Sequence, residues 1–345
     1  MQWKLTEEQN AYRKTLRGWL ADVAPPEAVR RWLNTGNASA FVSRFVADGW
    51  AGVGLPENIG GQGGGLVELA LTAEELGRAA VPSADWLAAV LAGHAELADT
   101  TALLIPADVV PDEAPALRVD ADGAVSGTAA RVLAGDSAAR FVVPADGELR
   151  VVEANAPGVV RTVRRPLDRS RSLSDVTLHQ VPSVRLDLAA DDVLCQASAR
   201  AAVLVAADSL GATERMLHLA VEYSKQRHQF GVPIGSFQAV KHAAATMLVG
   251  IEAARSVVYF AAASVDAGDP QAPLHAAAAK AQVTAEGARS ADTALTLHGA
   301  IGYTWEHDLH LFYKRAKLDE PLFGTPAAWN ERIADGLALS TQEGM

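Results

Sequence analysis

Two side chains at the ends of one short turn offer the clearest chemistry in this sequence. Arg227 opens and Gln238 closes the stretch Arg-His-Gln-Phe-Gly-Val-Pro-Ile-Gly-Ser-Phe-Gln. Gly231, Pro233 and Gly235 interrupt any helix between them, and long Ala/Leu-rich patterns lie on both sides. A guanidinium and an amide at facing helix ends can converge on one point beyond them. A guanidinium there holds a phosphate by two parallel charge-assisted hydrogen bonds, a geometry that a lysine does not offer. The alternative account of Arg227 is a solvated helix cap. Farther along, Leu297-His298-Gly299-Ala300-Ile301-Gly302-Tyr303 closes an alanine-rich helix in a glycine turn, and Phe323-Gly324-Thr325 opens a last amphipathic segment through Trp329 and Ile333.

In order and spacing these three features resemble the acyl-CoA dehydrogenase family. Gly49-Trp50, the run Pro56-Glu57-Asn58-Ile59-Gly60-Gly61-Gln62-Gly63 and the later Glu74-Glu75-Leu76-Gly77 are also similar to that family, so the resemblance covers nearly the whole chain. It implies FAD as cofactor. In the family the Arg-x-x-Phe-Gly turn, its downstream glutamine and the Gly-x-x-Gly turn touch the FAD diphosphate and adenosine across a subunit interface. Carried onto this sequence, Arg227 is expected to hold the diphosphate and Phe230 to pack on the nucleotide half. Gln238 is expected to hydrogen-bond near the adenosine, and Gly299 to permit close backbone approach.

The sequence also departs from the family. A family member removes the α-proton of an acyl-CoA with a glutamate while the flavin takes the β-hydride, and that base needs a suitable pKa and hydrogen-bond reach. The usual place, just before the final Gly-Thr turn, holds Phe323. The minority place, early in the helix leading to Arg227, holds Ala201. Neither accepts a proton. Between Thr101 and Val184 there is no counterpart to the family's Thr-Glu-Pro-x-x-Gly-Ser-Asp segment. Gly127-Thr128-Ala129-Ala130-Arg131-Val132-Leu133-Ala134 lacks the Trp-Ile-Thr that follows its lead-in, and the family's glutamine before the glycine turn is Thr296. The chain thus lacks its own base and flavin pocket yet keeps residues that reach toward a neighbour's flavin.

A two-fold interface can build each site from both chains, and two different chains let one set of sites decay. The resemblance therefore points to the short, non-catalytic subunit of an α2β2 heterotetramer, like the actinobacterial enzymes acting on steroid side chains. The partner would be a second, longer acyl-CoA dehydrogenase-like chain, with FAD shared between them. The implied reaction is α,β-desaturation of an acyl-CoA, with electrons passed to an electron-transfer flavoprotein. Two alternatives stay open: a self-sufficient homomeric flavoenzyme with a displaced base, for which Glu306 and Glu320 are candidates, and a flavin-free scaffold.

Composition sets limits. The chain has 345 residues, 49% hydrophobic, with a formal net charge of −11, enough for two or three well-buried domains. The acidic balance argues against nucleic acid as a main partner. The single cysteine, Cys195, excludes an intramolecular disulfide and a cysteine metal cluster, and suits a reducing cytoplasm. No apolar run approaches the length of a membrane span, and the N-terminus reads as an amphipathic helix start capped by Thr6 rather than a signal peptide.

The elements that must position the site read as an α+β chain. Residues 1–100 form an N-terminal all-α domain, helical from about Leu5 to Leu97. Residues 101–190 form a small middle antiparallel β-domain, and residues 191–345 a C-terminal four-helix bundle. The cluster Gly60-Gly61-Gln62-Gly63-Gly64-Gly65 reads as a flexible turn between helices, since it lacks a dinucleotide-binding frame. His307 and His310, with Glu306 and Asp308, read as an exposed helix face rather than a metal site. Arg161, Arg164, Arg165, Arg169 and Arg171, beside Asp168 and Asp175, read as solvated ion pairs, and Phe323 as core.

Overall fold

The computed structural model describes residues 4–93 and 100–337. The first region contains helices α1 (Glu7–Val23), α2 (Pro26–Thr35), α3 (Ser39–Ala47), α4 (Leu66–Arg78) and α5 (Ala84–Leu91). Thr6 caps α1 reciprocally: its Oγ1 accepts from the Gln9 N–H at 3.1 Å while Gln9 Oε1 accepts from the Thr6 N–H at 3.0 Å. Two donors that the first turn would leave unpaired are thereby satisfied. The glycine run before α4 is a turn held at several points, where flexibility was expected. Gln62 and Gly63 donate to the Gly52 and Leu55 carbonyls at 2.8 and 2.9 Å, and a Cβ on Gly61 would lie 2.1 Å from the Leu55 oxygen. The expected continuation of helix to Leu97 falls partly on residues 94–99, outside the described residues.

Two four-stranded sheets follow. One has the order β1 (Thr101–Leu103), β4 (Arg140–Ala145), β5 (Glu148–Glu153), β8 (Val184–Ala189); the other has β2 (Arg118–Val119), β3 (Ala124–Leu133), β7 (Leu173–Pro182), β6 (Val159–Arg164). Asp146 and Gly147, at φ 45° and 81°, make the two-residue hairpin between β4 and β5, where right-handed strand twist favours two left-handed residues. The named strands pair antiparallel except β1 and β4, which run parallel, and a further isolated parallel bridge joins Leu117 to Ala145. The chain leaves β1 to build β2 and β3 of the other sheet before returning, so it re-enters beside β1 in the same direction.

The C-terminal region holds α6 (Ala190–Gln226), α7 (Gln238–Asp266), α8 (Ala272–His298), α9 (Leu309–Asp319) and α10 (Pro326–Gly336). Between α6 and α7 a small hairpin of β9 (His228–Gln229) and β10 (Val232–Pro233) turns at Phe230 and Gly231. Helix α6 is the axis of the molecule and packs on α4, α7, α8 and α9. Its close approach to α4 depends on two glycines. A Cβ on Gly211 would lie 1.8 Å from the Glu74 oxygen, and one on Gly77 2.2 Å from the Asp208 oxygen. Helices α6 and α7 correct the expectation that no apolar run reaches membrane-span length: their best windows have mean hydropathy 1.3 and 1.4. The α6 window is 72% buried against other helices, as a core helix requires, whereas the α7 window is only 39% buried.

Candidate functional site

The end of α6, the β9–β10 hairpin and the end of α8 enclose a surface cleft of about 340 Å³, lined by Arg227, Thr296, His298 and Gly299, with Tyr223 and Ile234 in its walls. Arg227 is the residue that stops α6. Its N–H still bonds to the Tyr223 carbonyl at 2.8 Å, but its backbone is extended, with φ −78° and ψ 123°. Its carbonyl accepts from the Ile234 N–H at 2.8 Å, which anchors the hairpin to the helix end. The Arg227 side chain is exposed, and its guanidinium makes no hydrogen bond or ion pair among the described residues. Gly299 caps α8 at φ 63° and ψ −144°, a combination that only glycine adopts without strain. Its N–H bonds back to the Leu295 and Thr296 carbonyls, and nothing lies within 4 Å of where a Cβ would project. The open face there permits close approach rather than supplying a donor.

His298 forms the floor. Its ring stacks on Tyr223 with centroids 4.9 Å apart, meets His307 edge-on at 4.5 Å, and its Nδ1 lies 2.7 Å from the Ala294 carbonyl. Burial first, then the neighbouring His307, pushes its pKa down, so the ring is neutral at ordinary pH. Thr296 turns its hydroxyl to the Asp292 carbonyl at 2.9 Å.

Of the four cofactor residues expected from the sequence, the structure brings Arg227 and Gly299 into this cleft. Phe230 and Gln238 are not among its lining residues. Phe230 stands at the hairpin tip, 92% exposed, edge-on to Phe237 with centroids 6.1 Å apart. Gln238 is the exposed first residue of α7.

The two expected base positions lie in the core. Ala201 is fully buried within α6, and Phe323 is 2% exposed. Phe323 sits at φ 55°, unusual for a bulky residue, and is fixed from three sides. Its N–H donates to the Ala107 carbonyl at 2.7 Å, and its carbonyl accepts from Trp329 Nε1 at 3.0 Å. Around it the buried Lys280 donates to the carbonyls of Asp319, Glu320 and Gly324 at 3.0–3.1 Å. Glu306 is exposed in a turn and Glu320 is half-buried at the end of α9; neither lines the Arg227 cleft.

Three readings of the sequence need correction. His307 lies ahead of α9 rather than on it, and both His307 and His310 are half-buried in ring contacts with His298 and Trp305. Among the described residues no group of three or more candidate ligands could hold a metal. Arg171 and Asp168 are buried rather than solvated, whereas Arg164 and Asp175 do form an outer pair. Arg171 belongs to an internal network that pattern reading missed. Arg315 grips Asp208 with Nε and Nη2 at 2.7 and 2.9 Å, Arg171 Nη2 reaches Asp208 at 2.9 Å, and Arg315 also bonds to the Val81 carbonyl at 3.1 Å. Burial would raise the Asp208 pKa, but the guanidinium groups of Arg171 and Arg315 overturn that and hold it down at about 2. Asp319, buried beside Asp208, is pushed well up by burial and by that neighbouring charge. The network ties the α4–α5 connection, the loop before β7, α6 and α9 together. The available signal was a charged residue inside an apolar run, Ala-Ala-Asp208-Ser-Leu.

Comparison with known proteins agrees with this architecture. The profile of the acyl-CoA dehydrogenase N-terminal domain matches residues 6–100, and that of the acyl-CoA dehydrogenase C-terminal domain matches residues 193–338. The acyl-CoA dehydrogenase IpdE2 of Mycobacterium tuberculosis is 36% identical over 329 residues, covering 93% of this chain and 94% of the relative. Among solved structures, a variant of the Tcur3481-Tcur3483 steroid ACAD superposes with TM-score 0.85 at 28% identity, covering 96% of this chain and 98% of that one. The ChsE4-ChsE5 complex from Mycobacterium tuberculosis superposes with TM-score 0.87 at 25% identity, covering 99% of this chain and 100% of that one. On matching domain profiles at both ends, and on a relative of similar sequence along almost its entire length, this chain belongs to the acyl-CoA dehydrogenase family.

Proposed function

We propose that this chain is the non-catalytic subunit of a heteromeric, FAD-dependent acyl-CoA dehydrogenase, lending its Arg227 cleft to a flavin seated in a longer, dehydrogenase-like partner. The observation that carries the reading is a contrast within one chain. A guanidinium without an acceptor and an open glycine backbone meet in a surface cleft, while both base positions are apolar and buried.

The residues fit the diphosphate end of FAD. Arg227 offers a planar, permanently charged fork to an oxyanion, and Gly299 leaves room for it. The strand that would face the ring carries Ala129, Ala130 and Arg131 after its Gly-Thr lead-in, so this chain's own ring pocket is not supplied. When bound, the flavin would accept the substrate's β-hydride. The partner's glutamate would take the α-proton, and an electron-transfer flavoprotein would receive the electrons. This chain's part is to neutralise the diphosphate and fix its position. The exposed Phe230 at the hairpin tip, and Val249 of α7, 70% exposed, offer apolar surface for the partner to cover. A steroid side-chain CoA thioester is the proposed substrate class, by similarity to the Tcur3481-Tcur3483 steroid ACAD, and the cytoplasm the proposed compartment.

The experiment is purification of this chain alone and together with a longer acyl-CoA dehydrogenase-like chain from the same organism. Flavin and turnover are expected only in the co-purified assembly. A lone chain that carries a full complement of flavin and desaturates acyl-CoA would overturn the proposal and favour the homomeric reading.

A further inference from the structure

A second cleft lies about 18 Å along α6 from Arg227, where the ends of α1 and α4 meet α6 and α9. It measures about 250 Å³. Leu20, Pro25 and Phe312 supply apolar walls, and Arg17, Glu75, Arg78 and Arg215 bring charge to it.

Those charges do not balance. Arg17 forks Glu75, with Nε and Nη2 at 2.8 and 2.6 Å from its two oxygens, and the Glu75 side chain is only 1% exposed. Glu214, the residue before Arg215 on α6, takes Arg78 Nη1 at 3.0 Å and Arg255 Nη2 at 3.5 Å. Asp308, whose charge also acts on Arg215, pairs with Arg30. Each of these carboxylates thus has a guanidinium of its own, and Arg215 is left over.

Arg215 is half-buried, yet it makes no hydrogen bond or ion pair among the described residues, not even to a carbonyl at the end of α1. Its nitrogens remain open to solvent, whereas Arg78 Nη1 is enclosed and beyond a ligand's reach. Burial first, then the like charge of Arg78, pushes the Arg215 pKa down, though an arginine stays charged at any ordinary pH. Arg17, by contrast, is held up chiefly by its hydrogen bonds to Glu75. A half-buried cation beside a like charge is costly without a counter-ion. A long side chain free to move would carry such a charge out to water; here it lines a walled cleft.

We propose that this cleft binds a small organic anion, its oxyanion on the Arg215 guanidinium and on the Arg17 Nη1 that the Glu75 fork leaves over, its apolar body against Leu20, Pro25 and Phe312. A planar guanidinium matches a carboxylate with two parallel hydrogen bonds. The apolar walls favour a carboxylate on a compact hydrophobic body over a bare inorganic ion. The site is independent of the flavin reading: it uses none of the Arg227 residues and requires no partner chain.

The test is calorimetric titration of the full chain with three probes: benzoate, benzamide, which keeps the shape without the charge, and inorganic phosphate. Saturable benzoate binding at a single site is expected, about tenfold or more tighter than either of the others. Arg215→Met, which keeps a long side chain and removes the charge, should weaken benzoate about tenfold or more, the loss of a charge-assisted contact. Arg227→Ala should leave benzoate binding unchanged. Because the Arg215 guanidinium makes no bond, the unliganded Arg215→Met chain should melt at or above the wild-type temperature. No saturable benzoate binding, benzamide or phosphate as tight as benzoate, or benzoate binding indifferent to Arg215→Met would each overturn the proposal. A lowered melting temperature in the unliganded variant would also overturn it, by making Arg215 a structural cation.

Discussion

Lys280 makes the stability of this chain depend on pH in a direction that can be worked out in advance. Its side chain is fully enclosed, and three carbonyls at 3.0–3.1 Å match the three N–H donors of an ammonium. Burial nevertheless lowers its pKa from 10.5 to about 7, against the opposing pull of Asp319 and Glu320. Asp319 helps little, being itself driven toward its neutral form. In the unfolded chain the lysine keeps its proton until its ordinary pKa. Between those two values the unfolded state binds a proton that the native state does not, so stability rises with pH. From pH 7.5 to 9.5 the gain is about 2.5 kcal/mol. Asp319, driven toward its neutral form, acts in the opposite sense wherever it keeps its proton, as do Tyr12 and Tyr259, both raised chiefly by burial, near the ordinary tyrosine pKa of about 10. All three are common to wild type and a Lys280 variant, so the lysine's part is the difference between their slopes. Urea unfolding at pH 7.5, 8.5 and 9.5, at fixed ionic strength, reads the effect. The wild-type midpoint should climb relative to that of Lys280→Met. At pH 9.5 the variant should be less stable by about 1–3 kcal/mol, because methionine leaves carbonyls without their donor. Equal slopes for the two proteins, or a wild-type midpoint that falls relative to that of the variant, would refute the reasoning.

Other consequences follow from packing and charge. Arg315→Met should lower stability by about 3–5 kcal/mol, since Asp208 and Asp168 would remain buried with less compensation; a thermal midpoint within a degree or two of wild type would contradict that. Gly211→Ala should destabilise strongly, because the new Cβ would lie 1.8 Å from the Glu74 oxygen and force α4 and α6 apart. Gly18→Ala, in the interior of α1 with nothing within 4 Å, should instead stabilise by about 1 kcal/mol. Denaturant midpoints of the two alanine variants should therefore move in opposite directions.

The fold was legible where the signal is local. The helical spacing of Val240, Ala244, Met247, Ile251 and Val258 lies within α7, Thr6 caps α1 through a residue three positions on, and Asp146-Gly147 makes a hairpin. The parallel pairing of β1 with β4 was not legible, because it depends on an excursion into the other sheet. Among charged residues the limit is physical. Arg171 and Arg164 stand seven positions apart in the same kind of sequence, yet one is buried against Asp208 and the other paired at the surface with Asp175. Which fate each meets is set by helices far along the chain. The candidate site divides in the same way: Arg227 and Gly299 could be read from turns, whereas the stacking of His298 on Tyr223 required two helix ends to meet.

The central claim is that Arg227 serves a flavin housed mainly by another chain, and flavin content of the co-purified assembly carrying Arg227→Ala tests it most directly. Loss of a bidentate, charge-assisted contact should weaken flavin retention by about ten- to a hundredfold. The assembly should remain intact by size-exclusion chromatography while its flavin absorbance per chain pair drops. An intact Arg227→Ala assembly that retains the wild-type flavin content would contradict the account and leave this chain as a scaffold.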